Sequence, residues 1–206
     1  MRKIVSIILC ALSIGGFATR ANAVLIDVVP PFISAGVGDS FDVDLTVSGL
    51  GNGFAPSLGA FDADILFDPA LIGFSGAVFG PSLGDPLLGE ADTGADASTP
   101  GIVKLFEVSF LEADSTSCTF CVPPFLNDIQ TDGFVLATLS FNILAAGTSS
   151  IIPTNIILSD ALGDVIDAVT GTGATIIVPE PSTLLLFALG FISLGFWIRR
   201  RERRGV

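Results

Sequence analysis

The segment Ser40-Phe41-Asp42-Val43-Asp44-Leu45-Thr46-Val47 alternates without interruption between apolar and polar side chains. Successive side chains of a β-strand point to opposite sides, so this pattern predicts a strand with one buried side and its aspartates in water. Residues 59–67 repeat the pattern, with Asp62 and Asp64 on the polar side. In residues 134–144 the same alternation predicts an inward column of Val135, Ala137, Leu139, Phe141 and Ile143.

Further apolar or alternating segments predict the remaining strands, at residues 25–29, 71–79, 102–110, 151–158, 165–169 and 174–178. No segment between residues 24 and 178 keeps a helical period for three turns, and Gly- and Pro-rich turns separate the strands. We therefore expect an all-β fold, a jelly-roll or Ig-like sandwich of about nine strands. Residues 80–101 and 112–131 are predicted to be long loops, which suit either a binding site or disordered insertions.

Residues 1–23 have the pattern of a secretory signal peptide. Two basic residues precede an apolar run at residues 4–17, and the segment ends in Ala21-Asn22-Ala23. Small residues at Ala21 and Ala23 predict cleavage by signal peptidase after Ala23. The alternative is an uncleaved anchor helix, but the apolar run is shorter than a membrane span requires.

The other end of the chain predicts a membrane anchor. Residues 182–198 carry no charge, and their number is at the lower limit for a helix that crosses a bilayer. Trp197 would lie at the interface, and the Arg-rich tail of residues 199–206, which begins Arg199-Arg200-Arg201, is expected in the cytoplasm. Residues 24–178 would then lie outside the membrane. A buried core helix is the alternative, which the following arginines disfavour.

The segment between these two ends is strongly acidic. Residues 24–178 contain 16 Asp, 3 Glu and a single base, Lys104, which gives a net charge of −18. Such a surface repels nucleic acid and anionic lipid and keeps the domain soluble. Cys118 and Cys121 also lie here, and an even pair in an exported domain predicts a disulfide. A redox motif and half of a metal site remain alternatives.

The junction of the acidic segment and the anchor resembles a known sorting signal. Val178-Pro179-Glu180-Pro181, the uncharged span and the Arg cluster follow one another in the order of a PEP-CTERM signal. The resemblance implies that exosortase, a membrane transpeptidase, recognises the chain, cuts it near Pro179-Glu180-Pro181 and passes it to the cell surface or an exopolysaccharide matrix. A plain anchor that is never cut is the alternative. The setting implied is a bacterium of the Gram-negative type.

Four segments within residues 24–178 resemble strands of one known module. Gly38-Asp39-Ser40-Phe41 and the strand that follows are similar to a cohesin opening strand, and residues 58–71, which end Phe67-Asp68-Pro69-Ala70-Leu71, are similar to the next. Residues 133–141 and 158–161 are similar to later strands. The resemblance implies a nine-stranded jelly roll, related to carbohydrate-binding modules, that docks a dockerin module on one sheet face. Any Ig-like sandwich with Gly-Asp turns is the broader alternative.

The residue types present argue against catalysis. The chain has neither His nor Tyr, which excludes His-based triads and imidazole metal sites. Two carboxylates could hydrolyse a glycoside, but among so many acids a suitable spacing is uninformative. No cofactor is expected; calcium is left open at Asp62 with Asp64, and at Asp160, Asp164 and Asp167, with solvated surface as the default.

The sequence therefore predicts a non-enzymatic surface module that binds a dockerin-like protein or a polysaccharide. The alternative is a structural acidic protein of a matrix or biofilm, without a specific ligand. A stacking-type sugar site is disfavoured, because the only Trp lies in the predicted anchor and the 13 Phe of residues 24–178 mostly occupy core-facing positions.

Overall fold

The computed structural model describes residues 23–180 and 189–192. Within them, twelve strands form two sheets packed face to face, and the prediction of an all-β sandwich is confirmed. The strands are β1 (Val24–Val29), β2 (Phe32–Ser34), β3 (Ser40–Ser48), β4 (Leu58–Leu66), β5 (Ile72–Phe79), β6 (Ala91–Asp96), β7 (Ile102–Ser109), β8 (Gly133–Ile143), β9 (Gly147–Asp160), β10 (Val165–Ile166), β11 (Ala168–Thr170) and β12 (Ala174–Val178). The helices are a single turn, α1 (Leu126–Ile129), and two 3-10 turns, Pro81–Leu83 and Pro86–Leu88.

The smaller sheet has five strands in the order β11-β1-β3-β8-β5, and the larger sheet has the order β2-β12-β9-β4-β7-β6 with β10 also paired to β9. Neighbours are antiparallel except for the parallel pairs β1 with β11 and β2 with β12. The chain passes from one sheet to the other near both ends of the domain. At the N-terminal end β1 belongs to the smaller sheet and β2 to the larger one, and at the C-terminal end β11 belongs to the smaller sheet and β12 to the larger one. Strands that change sheets in this way close the corners of a sandwich.

The register of the strands defines two ends of the sandwich. Val178, the last residue of β12, pairs with Gly147 at the start of β9, and we call this the exit end. Asp160 at the other extremity of β9 pairs with Leu58, and we call that the far end. Strand β7 finishes at the far end, because Val108 pairs with Ala60. Strand β5 also finishes there, because its first residue, Ile72, pairs with Ile143 just before β9 begins at the exit end. The segments that follow β5 and β7 therefore begin away from the point where the chain leaves the domain.

The core lies between the sheets and is built from the alternating columns that the sequence predicted. In β3 the buried residues are Val43, Leu45 and Val47, and in β4 they include Phe61, Ala63 and Ile65. Phe141 of β8 lies at the centre of an aromatic cluster and contacts the rings of Phe41, Phe67 and Phe74. Burial of these apolar columns is the main stabilising term available to such a domain.

The prediction of a long loop at residues 80–101 is wrong. This segment contains both 3-10 turns and β6, which pairs with β7 from Ala91 to Asp96. The sequence Ala-Asp-Thr-Gly-Ala-Asp has little strand propensity, and pairing with β7 supplies what propensity does not. The short strand β2 also escaped prediction, and the expected strand 165–169 is divided into β10 and β11.

The inward placement of Val135 is also wrong. Leu45 pairs with Ala137 and Thr46 pairs with Val135, so Leu136 is an extra residue in β8. This bulge reverses the alternation before it, so that Phe134, opposite the buried Val47, packs against the core. From Ala137 to Ile143 every second residue is buried, as predicted.

Candidate functional site

The predicted targeting residues lie at the edges of the described part of the chain. Val178 is buried at the end of β12, and Pro179 and Glu180 follow it as exposed, irregular backbone. Ala23 lies directly before β1 and is exposed. Pro181, Ala21, Trp197, Arg199, Arg200 and Arg201 lie outside the described residues, as does most of the predicted span 182–198.

Residues 189–192 are the part of the predicted span that is described, and they are helical. Among the helices in the described part of the chain, none has the length and apolar character needed to cross a bilayer. The boundaries of the signal peptide, the anchor and the tail stay predictions.

The outward side of the larger sheet carries an unusual cluster of apolar residues. Phe106 and Val108 of β7 and Ile157 of β9 all point to solvent there, and we call these three residues the apolar face. With Ala60 and Asp62 of β4 and Ser159 of β9, they line a shallow depression of about 250 Å³. Large apolar side chains grouped on a monomer surface commonly mark an interaction site.

Register explains how the depression is formed. Gly94, Phe106, Asp62 and Ile157 follow one another across β6, β7, β4 and β9 in one row. A Cβ atom at residue 94 would lie 2.2 Å from the Phe106 ring, so only glycine leaves room for the ring in this position. The row therefore presents an aromatic ring and an aliphatic side chain on either side of the Asp62 carboxylate.

Strand β7 also carries the most unusual core residue of the domain. Glu107 lies between Phe106 and Val108 and is 0% exposed, with its strand partners Phe61 and Thr93 on either side. Neither of its carboxylate oxygens has a hydrogen-bond partner. Burial raises the pKa of Glu107 to about 8, so that the side chain is mostly protonated at neutral pH. Because Glu107 is sealed from solvent, it cannot act on a substrate.

The outward side of the smaller sheet is chemically different. Ser140 and Thr138 of β8 donate hydrogen bonds of 2.6 Å to the carboxylates of Asp42 and Asp44 on β3. The hydroxyl of Ser40 donates in the same way to the Asn142 side chain, at 2.7 Å. The polar groups of this side are thus paired with one another across the strands.

The two long segments come together at the far end of the sandwich. The N–H of Phe110 donates to the carbonyl of Glu90 at 2.7 Å and joins the segment after β7 to the segment before β6. A disulfide joins Cys118 and Cys121. The prediction of a long loop is confirmed for this segment apart from the single turn of α1, which begins at Leu126.

In each of the two acidic clusters where calcium was left open, one carboxylate accepts hydrogen bonds from nearby groups. The carboxylate of Asp160 accepts hydrogen bonds from the N–H groups of Leu162 and Asp164, and the Asp64 carboxylate accepts one from the Asn155 amide. Within residues 23–180 and 189–192, no group of three or more Asp, Glu or Cys side chains is placed to hold a metal ion.

Sequence reasoning missed the apolar face and Glu107. The signal was present, because Phe106 and Val108 are apolar at positions that alternate with the equally apolar Val103 and Leu105. Apolar residues on both sides of a strand are typical of a strand that is buried on both sides, yet the outward side of β7 faces solvent in the domain.

The fold defines a class: a two-sheet β-sandwich similar to that of cohesin modules, as the sequence resemblance predicted. The cohesin CaCohA2 of Clostridium acetobutylicum is 20% identical, with 76% of this chain and 90% of that chain covered and a TM-score of 0.55. The cohesin of a type I cohesin–dockerin complex (Coh-OlpC–Doc435) from Clostridium thermocellum is 15% identical, with 77% and 94% covered and a TM-score of 0.54.

A non-cellulosomal cohesin from the archaeon Archaeoglobus fulgidus is 14% identical, with 77% of this chain and 92% of that chain covered and a TM-score of 0.53. The PEP-CTERM protein-sorting motif matches residues 178–201, which agrees with the predicted sorting signal. A search of curated proteins found no relative that matches the sequence. The chain thus combines a cohesin-like sandwich with a PEP-CTERM motif.

Proposed function

We propose that this protein is exported and sorted to the cell surface or an extracellular matrix, where its sandwich binds a dockerin-like protein module. The observation that carries the proposal is the apolar face on the larger sheet of a domain with a net charge of −18. Exposing Phe106, Val108 and Ile157 to water has no benefit for folding, and burial against a partner would remove that cost.

The chemistry of the depression favours a protein partner. Two apolar side chains flank the Asp62 carboxylate, an arrangement that accepts an apolar side chain beside a Lys, Arg or hydroxyl group. Several of the similar cohesins were solved in complex with dockerins, which supports a partner of that kind. A polysaccharide is the less suitable ligand, since Phe106 is the single exposed aromatic ring in the lining of the depression.

The PEP-CTERM motif supports the proposed route. Signal peptidase would remove residues 1–23, the predicted anchor at residues 182–198 would hold the precursor in the inner membrane of a Gram-negative type bacterium, and exosortase would cut near Pro179-Glu180-Pro181. We propose no enzymatic activity for the sandwich. The acidic side of the smaller sheet would then serve solubility, which is also what a structural matrix protein would require.

Binding is tested with the full chain as bait for the secreted proteins of its source organism, followed by titration of the purified captured protein. Ile157 is 61% exposed, so Ile157→Ser should leave the fold intact and weaken binding about tenfold or more. The matched control is Val78→Ser on the outward side of the smaller sheet, where Val78 is 71% exposed. Equal affinities of wild type and Ile157→Ser would reject the proposed face, and recovery of no saturable partner would favour the matrix protein.

Sorting is tested by mass spectrometry of the mature protein in the surface fraction. We expect an N-terminus at residue 24 and a C-terminus near Pro181. Recovery of the surface form with its Arg-rich tail, residues 199–206, would reject processing.

A further inference from the structure

A second apolar surface lies at the far end of the sandwich, where the two long segments meet. Its lining includes Leu88, Phe110, Phe120 and Val122, and it encloses about 330 Å³. We call it the end groove. It lies on segments that follow the far-end extremities of β5 and β7, and it shares no lining residue with the depression on the larger sheet.

The segment that carries Phe120 is held in a defined conformation. The Glu112 carboxylate accepts hydrogen bonds from the N–H groups of Thr119, Phe120 and Cys121, the last two at 2.9 and 2.8 Å. The Cys118–Cys121 disulfide closes the same turn. Phe120 is nevertheless 82% exposed. A rigid turn that holds an aromatic ring in water lowers the entropic cost of binding through that ring.

The opposite wall is also held locally. The N–H of Leu87 donates to the Asp85 carboxylate at 2.8 Å, and the Glu90 carboxylate accepts from the Asp85 N–H at 2.9 Å. Leu88 follows on this turn and is exposed. Because Phe110 is hydrogen-bonded to Glu90 through the backbone, the two walls form one unit.

Charge decides what kind of occupant this groove suits. Glu90 and Glu112 both line the groove. The pKa of the Glu112 carboxyl group is lowered by the hydrogen bonds that it accepts from backbone N–H groups, and the bond from Phe120 has the largest effect. The single base of residues 24–178, Lys104, lies on β7 opposite Asp64 and Asp96, towards the exit end. The groove is therefore apolar in its lining, negative at its rim and without a basic residue of its own.

We propose that the end groove binds an extended peptide segment of a partner protein in which apolar side chains alternate with Lys or Arg. Charge complementarity carries this choice, because such a segment would neutralise the rim carboxylates while its apolar side chains cover Phe120 and Val122. The position at the far end places the groove away from the point where β12 leads to the chain's own sorting motif.

The test uses the full chain in phosphatidylcholine nanodiscs and a fluorescein-labelled peptide, Lys-Phe-Lys-Leu-Lys-Val-Lys. One control peptide has Glu in place of every Lys, and the other has Ser in place of every apolar residue. Fluorescence anisotropy should show affinity for the first peptide at least about tenfold above either control, weakening as salt is added. Equal binding of the Glu peptide would overturn the proposal.

Variants locate the site. Phe120→Ser and Val122→Ser should each weaken binding of the basic peptide about tenfold or more. Phe54→Ser is the matched control, because Phe54 is 75% exposed but does not line the groove, and it should have no effect. Ile157→Ser should also have none, which keeps this result separate from the proposed dockerin-like site. Unchanged affinity in both groove variants would overturn the proposal.

Two results of the same experiment would identify a different occupant of the end groove. If sedimentation shows a wild-type dimer that Phe120→Ser converts to a monomer, the groove binds a second copy of the chain and the proposal fails. If a chain that begins at residue 24 binds the basic peptide more tightly than wild type, residues 1–23 occupy the groove and the proposal fails as well.

Discussion

Strands β3 and β7 both alternate between apolar and acidic side chains, but part of β7 exposes the apolar residues and buries the acidic one. In β3, Asp42 and Asp44 point to water while Val43 and Leu45 enter the core. In the middle of β7, Phe106 and Val108 point to water while Glu107 is fully buried. The first arrangement is what stability alone requires, whereas the second exposes apolar surface and buries a carboxyl group without partners, both of which cost free energy.

The difference teaches that the two outward sides of the sandwich meet different requirements. The hydroxyl and carboxylate groups on the smaller sheet satisfy one another, so its polar side chains need no partner. The larger sheet leaves an aromatic ring over Gly94 and an aliphatic side chain beside it exposed. Departures of this kind from local consistency are expected at functional sites.

The largest effect we expect contrasts two phenylalanines. Phe141→Ala should lower the free energy of unfolding by about 3–5 kcal/mol, because Phe141 is 0% exposed and contacts three other rings. Phe106→Ala should lower it by only about 1–2 kcal/mol, because Phe106 is 39% exposed and keeps part of its ring in water. Urea denaturation followed by circular dichroism measures both, and similar losses would mean that Phe106 serves the fold.

Glu107 should make stability depend on pH. Between its ordinary pKa of 4.5 and about 8, the unfolded chain has lost the Glu107 proton while the folded chain retains it. Stability attributable to Glu107 therefore falls as pH rises through this range, by at most about 1.4 kcal/mol per pH unit, and stops falling above about 8.

Glu107→Gln should remove that slope, so that the variant gains on wild type by on the order of 3 kcal/mol between about pH 5 and pH 8. Denaturation at the two pH values measures the gain. Asp92→Asn, at an exposed position on the neighbouring strand, is the control and should run parallel to wild type. A parallel course for Glu107→Gln would show that the carboxyl group is already ionised or solvated in the folded state.

Gly94→Ala should change the shape of the apolar face without removing any of its apolar residues. The added Cβ would collide with the Phe106 ring and displace it, while no apolar residue is lost. We expect partner affinity to fall about fivefold to tenfold, since misplacing a central anchor removes much of its contribution. Calorimetric titration measures the change, and Gly76→Ala in β5, where a Cβ meets open space, is the control.

The smallest effect should come from the polar side. Ser140→Ala removes one exposed hydrogen bond to Asp42 and should cost about 0.5–1 kcal/mol of stability. Partner affinity should not change, because Ser140 lies on the sheet opposite the apolar face. A loss of affinity in Ser140→Ala, measured by the same titration, would move the binding site to the smaller sheet.

Most of the sandwich could be predicted because its strands alternate clearly. Where one side of a strand is uniformly apolar, as in β3 and β4, the buried residues followed directly from the sequence. The bulge at Leu136 was not predictable, since it depends on how β8 meets β3 rather than on local pattern. Strand β6 was missed for a related reason, because pairing with β7 outweighs its weak propensity.

The candidate site was harder to predict than the fold. Residues 102–110 carry apolar residues on both sides and one charged residue on each, Lys104 and Glu107, so alternation alone does not decide which side is buried or that Glu107 faces inward. The Cys118–Cys121 disulfide followed from the count of cysteines in an exported chain, but the clamp that Glu112 forms on the same turn has no sequence signature.

Photo-crosslinking from the two sheets tests the central claim most directly. Benzoylphenylalanine would replace either Phe106 on the larger sheet or Ser140 on the smaller one, and each protein would be irradiated with the captured partner. The account predicts a covalent adduct from position 106 and none from position 140. An adduct from position 140 alone would contradict it, because the partner would then dock on the self-paired polar side.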